Sequence, residues 1–341
     1  MTDQKDDAAG RPTMKDVAAR AGVGLSTVSR VVSGKGGVSR AKSKAVERAI
    51  AQLGYSRNEF AHTLRTGSAR TIGVVVTRIS DPFYAELVGT IEQRAQERDL
   101  LVLVASGGDD PAEGERVLRR MLRRRLDGLI VVAHEEADIS FLQGEMNAGT
   151  RMVFVDRPPR RLHADVVVVD NEAGAANAVA HLVHAGHRSI ACLAHTSGRF
   201  TSERRQAGFR QGVRDAGLPA RPELIVEVDD DVDACVEALS ELFSLDDPPT
   251  ALFTTNSRTT KAVLKALRLL DARPALVGFD DFELAELMDP PVTTIAQDPR
   301  AMGDAAVGLL FDRIAGLAGP ERRIALGTRL VERGSGERPP V

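Results

Sequence analysis

A chain of 341 residues is too long for one typical hydrophobic core and fits two or three domains. Its composition, 43% hydrophobic and 27% charged, is ordinary for a soluble globular protein, and no run approaches the roughly eighteen uncharged apolar residues of a membrane span. The two cysteines, Cys192 and Cys235, form no metal or redox spacing and read as packing residues in a reduced, cytoplasmic setting.

Residues 1–12, MTDQKDDAAGRP, are polar and acidic, lack the apolar stretch of a secretion signal, and read as a disordered leader. The charge balance then changes sign. Between Thr13 and Thr66, ten Lys and Arg residues face three acids, a net +7; the whole chain is −3, so the remainder carries −10. A cationic head on an acidic body is the electrostatic footprint of a nucleic-acid-binding module joined to a domain with another task. Within the head, Thr13 is placed to cap a helix with Asp16 in its first turn, and Val17, Ala18 and Ala21 recur at helical spacing. Gly22-Val23-Gly24 breaks that helix, and a second periodicity runs through Leu25, Val28, Val31 and Val32 to Ser33-Gly34. Two short helices across a tight glycine-containing turn predict a helix-turn-helix, leaving Leu25, Ser26, Ser29 and Arg30 to face outward. A third helix, from near Ser39 to Leu53, closes a mini-core with Ala45, Val46, Ala49, Ile50 and Leu53, and Gly54 stops it. Lys42, Lys44 and Arg48 lie on its other face, where the grouped excess of cations suits phosphate contacts.

The segments TMKDVAARAGV, TVSRVVSG, VS and AIAQLGY…N resemble the head of the lactose/galactose repressor (LacI/GalR) family of bacterial regulators. The likeness continues through the chain except for both tails. It implies a DNA-binding head over 13–57 whose second helix enters the major groove, with Leu25, Ser26 and Arg30 at base edges. Thr13, Thr27, Ser29, Ser39 and Lys42 complete the DNA-facing set. Arg30 is able to give guanine two parallel hydrogen bonds, worth roughly 1–3 kcal/mol of discrimination. Leu25 suits a thymine methyl, with a buried structural role as the alternative. Residues 58–65, NEFAHTLR, are too short to hold a helix alone in water. In the resembled family this hinge, here 58–70 with its linker, folds on DNA within the dimer. The resemblance makes Leu64 the minor-groove wedge and Ala61 the small residue where paired helices meet, with Asn58 among the DNA contacts. Arg57 stands where the family usually has Pro, Lys42-Ser43 where Thr-Arg is common, and Gly24 where Ser usually caps. These departures predict altered details of DNA contact.

From about residue 71, apolar strand runs alternate with longer helical stretches: 72–76, 100–105, 128–133, 152–155, 166–169, 189–194, 224–228, 250–253 and 275–279. Such alternation means parallel sheets covered by helices, with enough strands for two doubly wound subdomains and a boundary near Pro158-Pro159. Ligands bind such sheets at the strands' carboxyl ends, which puts a site in the cleft between the two. The expected fold is therefore an all-α helix-turn-helix head plus an α/β body of two doubly wound parallel-sheet subdomains. DPFYAEL (81–87), LDGLI (126–130), FVDRP (154–158) and HLVHAGHRSIA (181–191) extend the family resemblance. ERRQAGF (203–209), PTALFTTNS (249–257), LVGFDD (276–281) and PPVTTIAQD (290–298) complete it.

The resemblance implies a body over 71–330 similar to periplasmic sugar-binding proteins, with three chain crossings. One subdomain would span about 71–158 plus about 296–316, the other about 162–290 plus about 320–332, ahead of a flexible tail at 331–341. Carried over by motif, the effector contacts are Phe83, Tyr84, Asp156, Arg199, Thr201, Arg205, Phe253, Asn256, Asp280 and Gln297. Aromatic faces stack on a sugar or base plane, carboxylates and Asn take paired hydroxyls, and Arg205 supplies a planar fork of donors. Core packing is the alternative for Phe83, and helix capping for Asp280 and Asp281. Ser257-Arg258-Thr259-Thr260-Lys261 departs from the family's Asp and small-residue pattern, which bears on the ligand's identity.

Asp229, Asp231 and Asp233 begin like a calcium loop, but Ala234 and Ser240 stand where Gly and a bidentate Glu are required, leaving a solvated turn. No G-x-x-x-x-G-K-[ST], G-x-G-x-x-G or G-x-S-x-G occurs, and the seven histidines show no metal spacing, so no metal, cofactor or catalytic residue is expected. His187 reads as structural. Arg119, Arg120, Arg123, Arg124 and Arg125 read as a solvated helix face with internal ion pairs, a second nucleic-acid patch being the alternative. The resulting expectation is a cytoplasmic, non-enzymatic homodimer that represses transcription from a palindromic double-stranded DNA operator. A small polar effector, a sugar or sugar derivative, would control it by favouring one arrangement of the body. A regulator answering to a nucleobase or nucleoside, a sugar-binding protein without regulatory role, and an enzyme acting on a carbohydrate are the alternatives.

Overall fold

The computed structural model describes residues 12–33, 36–55, 69–134, 138–159, 162–195 and 200–340. The chain divides into two compact units, Met1–Ala69 and Arg70–Val341. In the first, α1 (Met14–Ala21), α2 (Leu25–Val32) and α3 (Arg40–Leu53) appear where periodicity put them. Thr13 and Asp16 form a reciprocal capping box at the start of α1: the Asp16 carboxylate accepts the Thr13 amide at 2.7 Å. Gly22 closes the helix in the left-handed region at φ 65°, a conformation that costs a residue with a Cβ more than it costs glycine. Val17, Ala18, Val28, Val46 and Ala49 are the buried centre, ringed by Ala21, Val31, Val32, Ile50 and Leu53; Ala45 stays outside it.

The second unit carries two six-stranded sheets. The first comprises β1 (Thr71–Val76), β2 (Leu101–Ser106), β3 (Gly128–Val131), β4 (Met152–Val155), β5 (Asp165–Val169) and β11 (Arg323–Leu326) in the order β11-β5-β4-β3-β1-β2, all parallel. The second comprises β6 (Ile190–His195), β7 (Ile225–Val228), β8 (Ala251–Thr254), β9 (Ala275–Phe279), β10 (Thr293–Ala296) and β12 (Arg329–Val331) in the order β12-β10-β9-β8-β6-β7, with only β12 antiparallel. Central strands such as β3 and β4 are buried along their whole length, which is why they read as unbroken apolar runs. Helices α4 (Pro82–Gln96) and α11 (Pro299–Ile314) cover one face of the first sheet, and α5 (Pro111–Leu122) and α6 (Phe141–Asn147) the other. On the second sheet, α7 (Asn171–His184) and α8 (Phe200–Asp215) pack opposite α9 (Val232–Phe243) and α10 (Ser257–Leu269).

Three boundaries differ from expectation. The first crossing lies after Val169 and not near Pro158-Pro159, because β5 pairs with β4 and so completes the first sheet. The segment expected at 320–332 in the second subdomain is split: β11 pairs with β5, and β12, two residues later, pairs with β10. The residues from 332 onward are also no loose tail. Ser335 is buried with its hydroxyl donating to the Leu276 carbonyl at 2.6 Å, and Glu337 accepts from Thr293 at 2.9 Å. The Arg338 carbonyl meets His187 Nε2 at 2.8 Å while His187 Nδ1 meets the Thr250 hydroxyl at 2.8 Å, so His187 is structural. Cys192 and Cys235 are buried and unbridged, and burial pushes their thiols up to about 12 and about 11, which makes them poor nucleophiles.

Candidate functional site

The carboxyl ends of both sheets open on one cavity of about 540 Å³. That is within the range of small-molecule sites. Its walls come from residues that follow β1, β4, β8, β9 and β10 and from the amino ends of α4, α8 and α10. Among the carboxylates that line it, Asp156 and Asp280 hold matching places, one after a strand of each sheet. Asp156, just after β4, has φ 67°, and Asp280, just after β9, has φ 69°. Such a left-handed backbone costs a non-glycine residue roughly 1–3 kcal/mol and persists only where neighbouring structure enforces it. Here the Asp156 amide donates to the Val167 carbonyl and the Asp280 amide to that of Ile295, both at 2.9 Å.

Each carboxylate is then oriented. The Tyr84 hydroxyl donates to Asp156 Oδ2 at 2.8 Å, and burial together with the Asp156 charge pushes the phenol well above its ordinary range, so it remains a donor. Arg205 is 3% exposed and sits over the Phe279 ring at 3.7 Å. Its Nε donates to Asn171 Oδ1 at 2.7 Å, and its Nη1 to the Thr255 carbonyl at 2.6 Å and to Asp280 Oδ2 at 3.0 Å. Gln297 donates through Nε2 to Asp280 Oδ1, while its Oε1 is buried without a hydrogen-bond partner among the described residues. A buried acceptor left unsatisfied costs free energy, and a ligand donor in the cavity would relieve it. Burial raises the pKa of Asp81, the N-cap of α4, even though it accepts the Phe83 amide at 3.0 Å.

Of the ten expected effector contacts, the cavity brings together Phe83, Tyr84, Asp156, Thr201, Arg205, Asn256, Asp280 and Gln297. Phe83 packs edge-on against Tyr84, centroids 5.1 Å apart, and against the core of the first sheet while also lining the cavity, so both of its expected roles are met. Asn256 caps α10 by accepting the Arg258 and Thr259 amides, which occupies its carbonyl oxygen and leaves its NH2 to a ligand. Asp281 serves the fold: it binds Arg333 and Thr294. Phe253 is a correction. It is fully buried between Phe209 and Phe279 in the core of the second sheet, because its position in β8 points it at α7 and α8. Arg199 lies outside the described residues.

Sequence reasoning missed a cluster in the cavity wall, where His195 and Arg258 line the cavity and hold the buried carboxylate of Asp230. His195 Nε2 and Arg258 Nε approach Asp230 Oδ2 at 3.1 and 2.9 Å, and the Thr259 hydroxyl donates to Oδ1 at 2.8 Å. Burial would raise the Asp230 carboxyl, but His195, Thr259 and Arg258 outweigh it and hold the pKa low. The departure at Arg258 is thereby neutralised within the protein. The signal was present in His195 at a strand's carboxyl end, but Asp229, Asp230 and Asp231 look alike in sequence. Among the described residues, no group of three His, Cys, Asp or Glu side chains is arranged to hold a metal, and no helix is long and apolar enough to cross a membrane.

In the first unit, α2 presents Leu25, 46% exposed, with Ser26 and Arg30 also exposed; Leu25 is therefore no core residue. Thr27 and Ser29 are half-buried, and Thr13, Ser39 and Lys42 are exposed, the Thr13 hydroxyl being engaged in its cap. Gly24 gives α2 no side-chain cap; the Thr27 amide donates to the Gly24 carbonyl at 2.9 Å, which leaves the amides of Leu25 and Ser26 for an acceptor such as a phosphate. Asn58, Ala61 and Leu64 lie outside the described residues.

A family model described as "Bacterial regulatory proteins, lacI family" matches residues 13–58, and one described as "Periplasmic binding protein-like domain" matches residues 179–336. The ribose operon repressor of Escherichia coli (strain K12) is 32% identical over 327 residues, 95% of this chain and 99% of that protein. A solved transcriptional regulator CelR–cellobiose complex is 32% identical with a TM-score of 0.71, over 95% of this chain and 100% of that one. The lac repressor dimer bound to operator and the anti-inducer ONPF superposes with a TM-score of 0.84 at 26% identity, over 96% and 99%.

Proposed function

The chain belongs to the lacI family of bacterial regulatory proteins, and from that premise we propose that it is a repressor whose hold on its operator is set by a neutral carbohydrate in the cleft. The pairing of five cavity arginines carries the choice of ligand, Lys261 and Arg329 being further cations of the lining. Arg78 pairs with Asp109, Arg157 with Asp156, Arg205 with Asp280, Arg258 with Asp230 and Arg333 with Asp281. A phosphorylated ligand would have to displace a carboxylate to bind any of these five arginines. A polyhydroxyl ligand meets carboxylates at Asp156 and Asp280, the spare amide atoms of Asn256 and Gln297, and the ring of Phe83. The ribose operon repressor and the CelR–cellobiose complex, both named for neutral sugars, agree with this assignment.

Such a ligand touches residues of both sheets at once and so favours one mutual disposition of the two subdomains. Coupling of this kind is typically about 1–3 kcal/mol. The protein acts as a cytoplasmic, non-enzymatic homodimer on a palindromic operator. Exposed apolar residues on the edge strand β2, namely Leu101, Leu103 and Val104, support a second copy as its partner. Arg30, Ser26 and Leu25 read bases, Leu64 and Ala61 form the hinge wedge beside Asn58, and Arg199 joins the effector contacts.

Two measurements test this. A mobility shift with the DNA upstream of the protein's own gene should show a preferred sequence; uniform affinity along that DNA refutes the regulator. A thermal-shift screen with neutral sugars, sugar phosphates and nucleobases should single out a neutral sugar. At a hundredfold excess over Kd it stabilises by about 2.7 kcal/mol. Stabilisation by a nucleobase alone refutes the carbohydrate.

A further inference from the structure

All strands of the first sheet run parallel, so the segments leading into them gather at one end of the sheet, opposite the ligand cleft. At that end Arg70 brings the chain in from the DNA-binding unit. Its charge differs from that of the rest of the body. Residues 70, 97–100, 123–127, 148–151, 162–164 and 315–322 hold seven arginines and four acids, a net +3, whereas residues 70–341 together sum to −9.

Most of the acids there are already engaged. Asp99 pairs with Arg70 at 3.0 Å, Glu97 with Arg94, and Glu321 with His163 at 2.9 Å. The ion pairs expected along the basic face of α5 stop at Arg116 and Arg119, which meet Glu113 and Glu115. Arg120, Arg123, Arg124, Arg125 and Arg151 are exposed and have no carboxylate partner among the described residues. The turn that carries three of them is fixed against the start of β1: the Asp127 amide donates to the Thr71 carbonyl at 2.9 Å. Like charges gathered this closely repel one another, and a polyanion relieves the repulsion.

We propose that this end of the sheet is a second DNA surface, in which Arg123, Arg124 and Arg125 neutralise phosphates of the duplex flanking the operator. The proposal rests on the operator-binding reading above. Duplex DNA offers a charge about every 1.7 Å, so a compact arginine cluster meets several phosphates without any sequence requirement. DNA is favoured over an acidic protein by connectivity. Residues 56–69 span no more than about 50 Å even when fully extended, which tethers this surface to whatever duplex the first unit holds.

The test compares two duplexes carrying the operator from upstream of the gene, one trimmed to the site and one with about 15 base pairs added on each side, roughly 50 Å of duplex. Fluorescence anisotropy across a sodium chloride series reads affinity and its salt slope for the full-length protein, R123E/R124E/R125E and R123K/R124K/R125K. The Glu variant should bind the long duplex at least tenfold more weakly and the trimmed duplex within twofold of the unsubstituted protein. Its salt slope on the long duplex should fall by roughly 0.9 for each phosphate that is no longer neutralised. The Lys variant should keep both affinities. Equal weakening on both duplexes, or no weakening on either, overturns the proposal, the second outcome pointing to a solvated face or an acidic protein. Failure of the unsubstituted protein to prefer any site overturns the regulator reading as well. If the Glu variant does not fold by thermal shift, R123Q/R124Q/R125Q carries the same comparison.

Discussion

Replacing Arg205 by alanine separates the ligand site from the DNA-binding unit most sharply. The side chain is 3% exposed and engages Asn171, Thr255 and Asp280 at 2.6–3.0 Å, with the Phe279 ring beneath it. Removing one partner of a buried ion pair costs about 3–5 kcal/mol. Asp280 keeps its bond from Gln297 and its side chain is 19% exposed, so the lower end, about 3 kcal/mol, applies. A body of this size shifts by roughly 2–4 °C per kcal/mol, which puts the loss near 6–12 °C in a thermal melt. A charge-assisted hydrogen bond to the ligand is worth about 1.5–3 kcal/mol, so effector affinity should fall by roughly ten- to a hundredfold or more in calorimetry. Operator affinity without effector should stay within threefold in a mobility shift, because the variant leaves the first unit intact. If the melt drops as expected while effector affinity changes less than threefold, Arg205 is a fold residue and the site has been misassigned.

The remaining expectations concern the other surfaces. Arg30→Ala should lower the preference for operator over a single-base variant by the equivalent of about 1–3 kcal/mol in competition binding, and undiminished preference would show that Arg30 reads no base. The double substitution L101D/L103D places charges on an edge strand where these side chains are 73% and 38% exposed. Analytical ultracentrifugation should then show monomer, and persistence of the dimer would move the interface elsewhere. Burial holds the His187 imidazole below its ordinary value of 6.5, and the carbonyl of Arg338 only partly offsets it. The neutral ring therefore contributes stability in full above about pH 6.5 and loses it as the pH falls through the lowered value. The melting temperature should decline on acidification from pH 6.5 to 5, less steeply in His187→Gln; identical slopes would remove His187 as the cause.

Local chemistry announced much of the architecture. Thr13 and Asp16 at cap spacing, Gly22 and Gly54 as stops, and apolar residues three and four apart identified α1 to α3 and the direction of their exposed face. Unbroken runs such as Met152–Val155 identified buried parallel strands. β10, β11 and β12 escaped notice because Thr293–Ala296, Arg323–Leu326 and Arg329–Val331 are short and open on Thr or Arg, which leaves too brief an apolar run. Their strand character depends on partners that lie far away in the chain, at β9, β5 and β10.

The amino-acid order alone was enough for the cationic reader, the alternating α/β body and the types of side chain in the cleft, since charge, period and capping act over a few residues. Tertiary structure alone decided which of those side chains touch the cavity. Phe253 and Phe279 both belong to apolar strands, yet Phe253 is enclosed in the core and Phe279 supports Arg205. Of three adjacent aspartates near residue 230, Asp230 is turned toward His195 and Arg258, while Asp231 caps α9 by accepting the Asp233 and Ala234 amides. The reason is physical: burial and pairing are properties of the space around a group, and that space is assembled from distant segments. Asp165 grips both Arg313 and Arg322, and the latter lies 157 residues away along the chain.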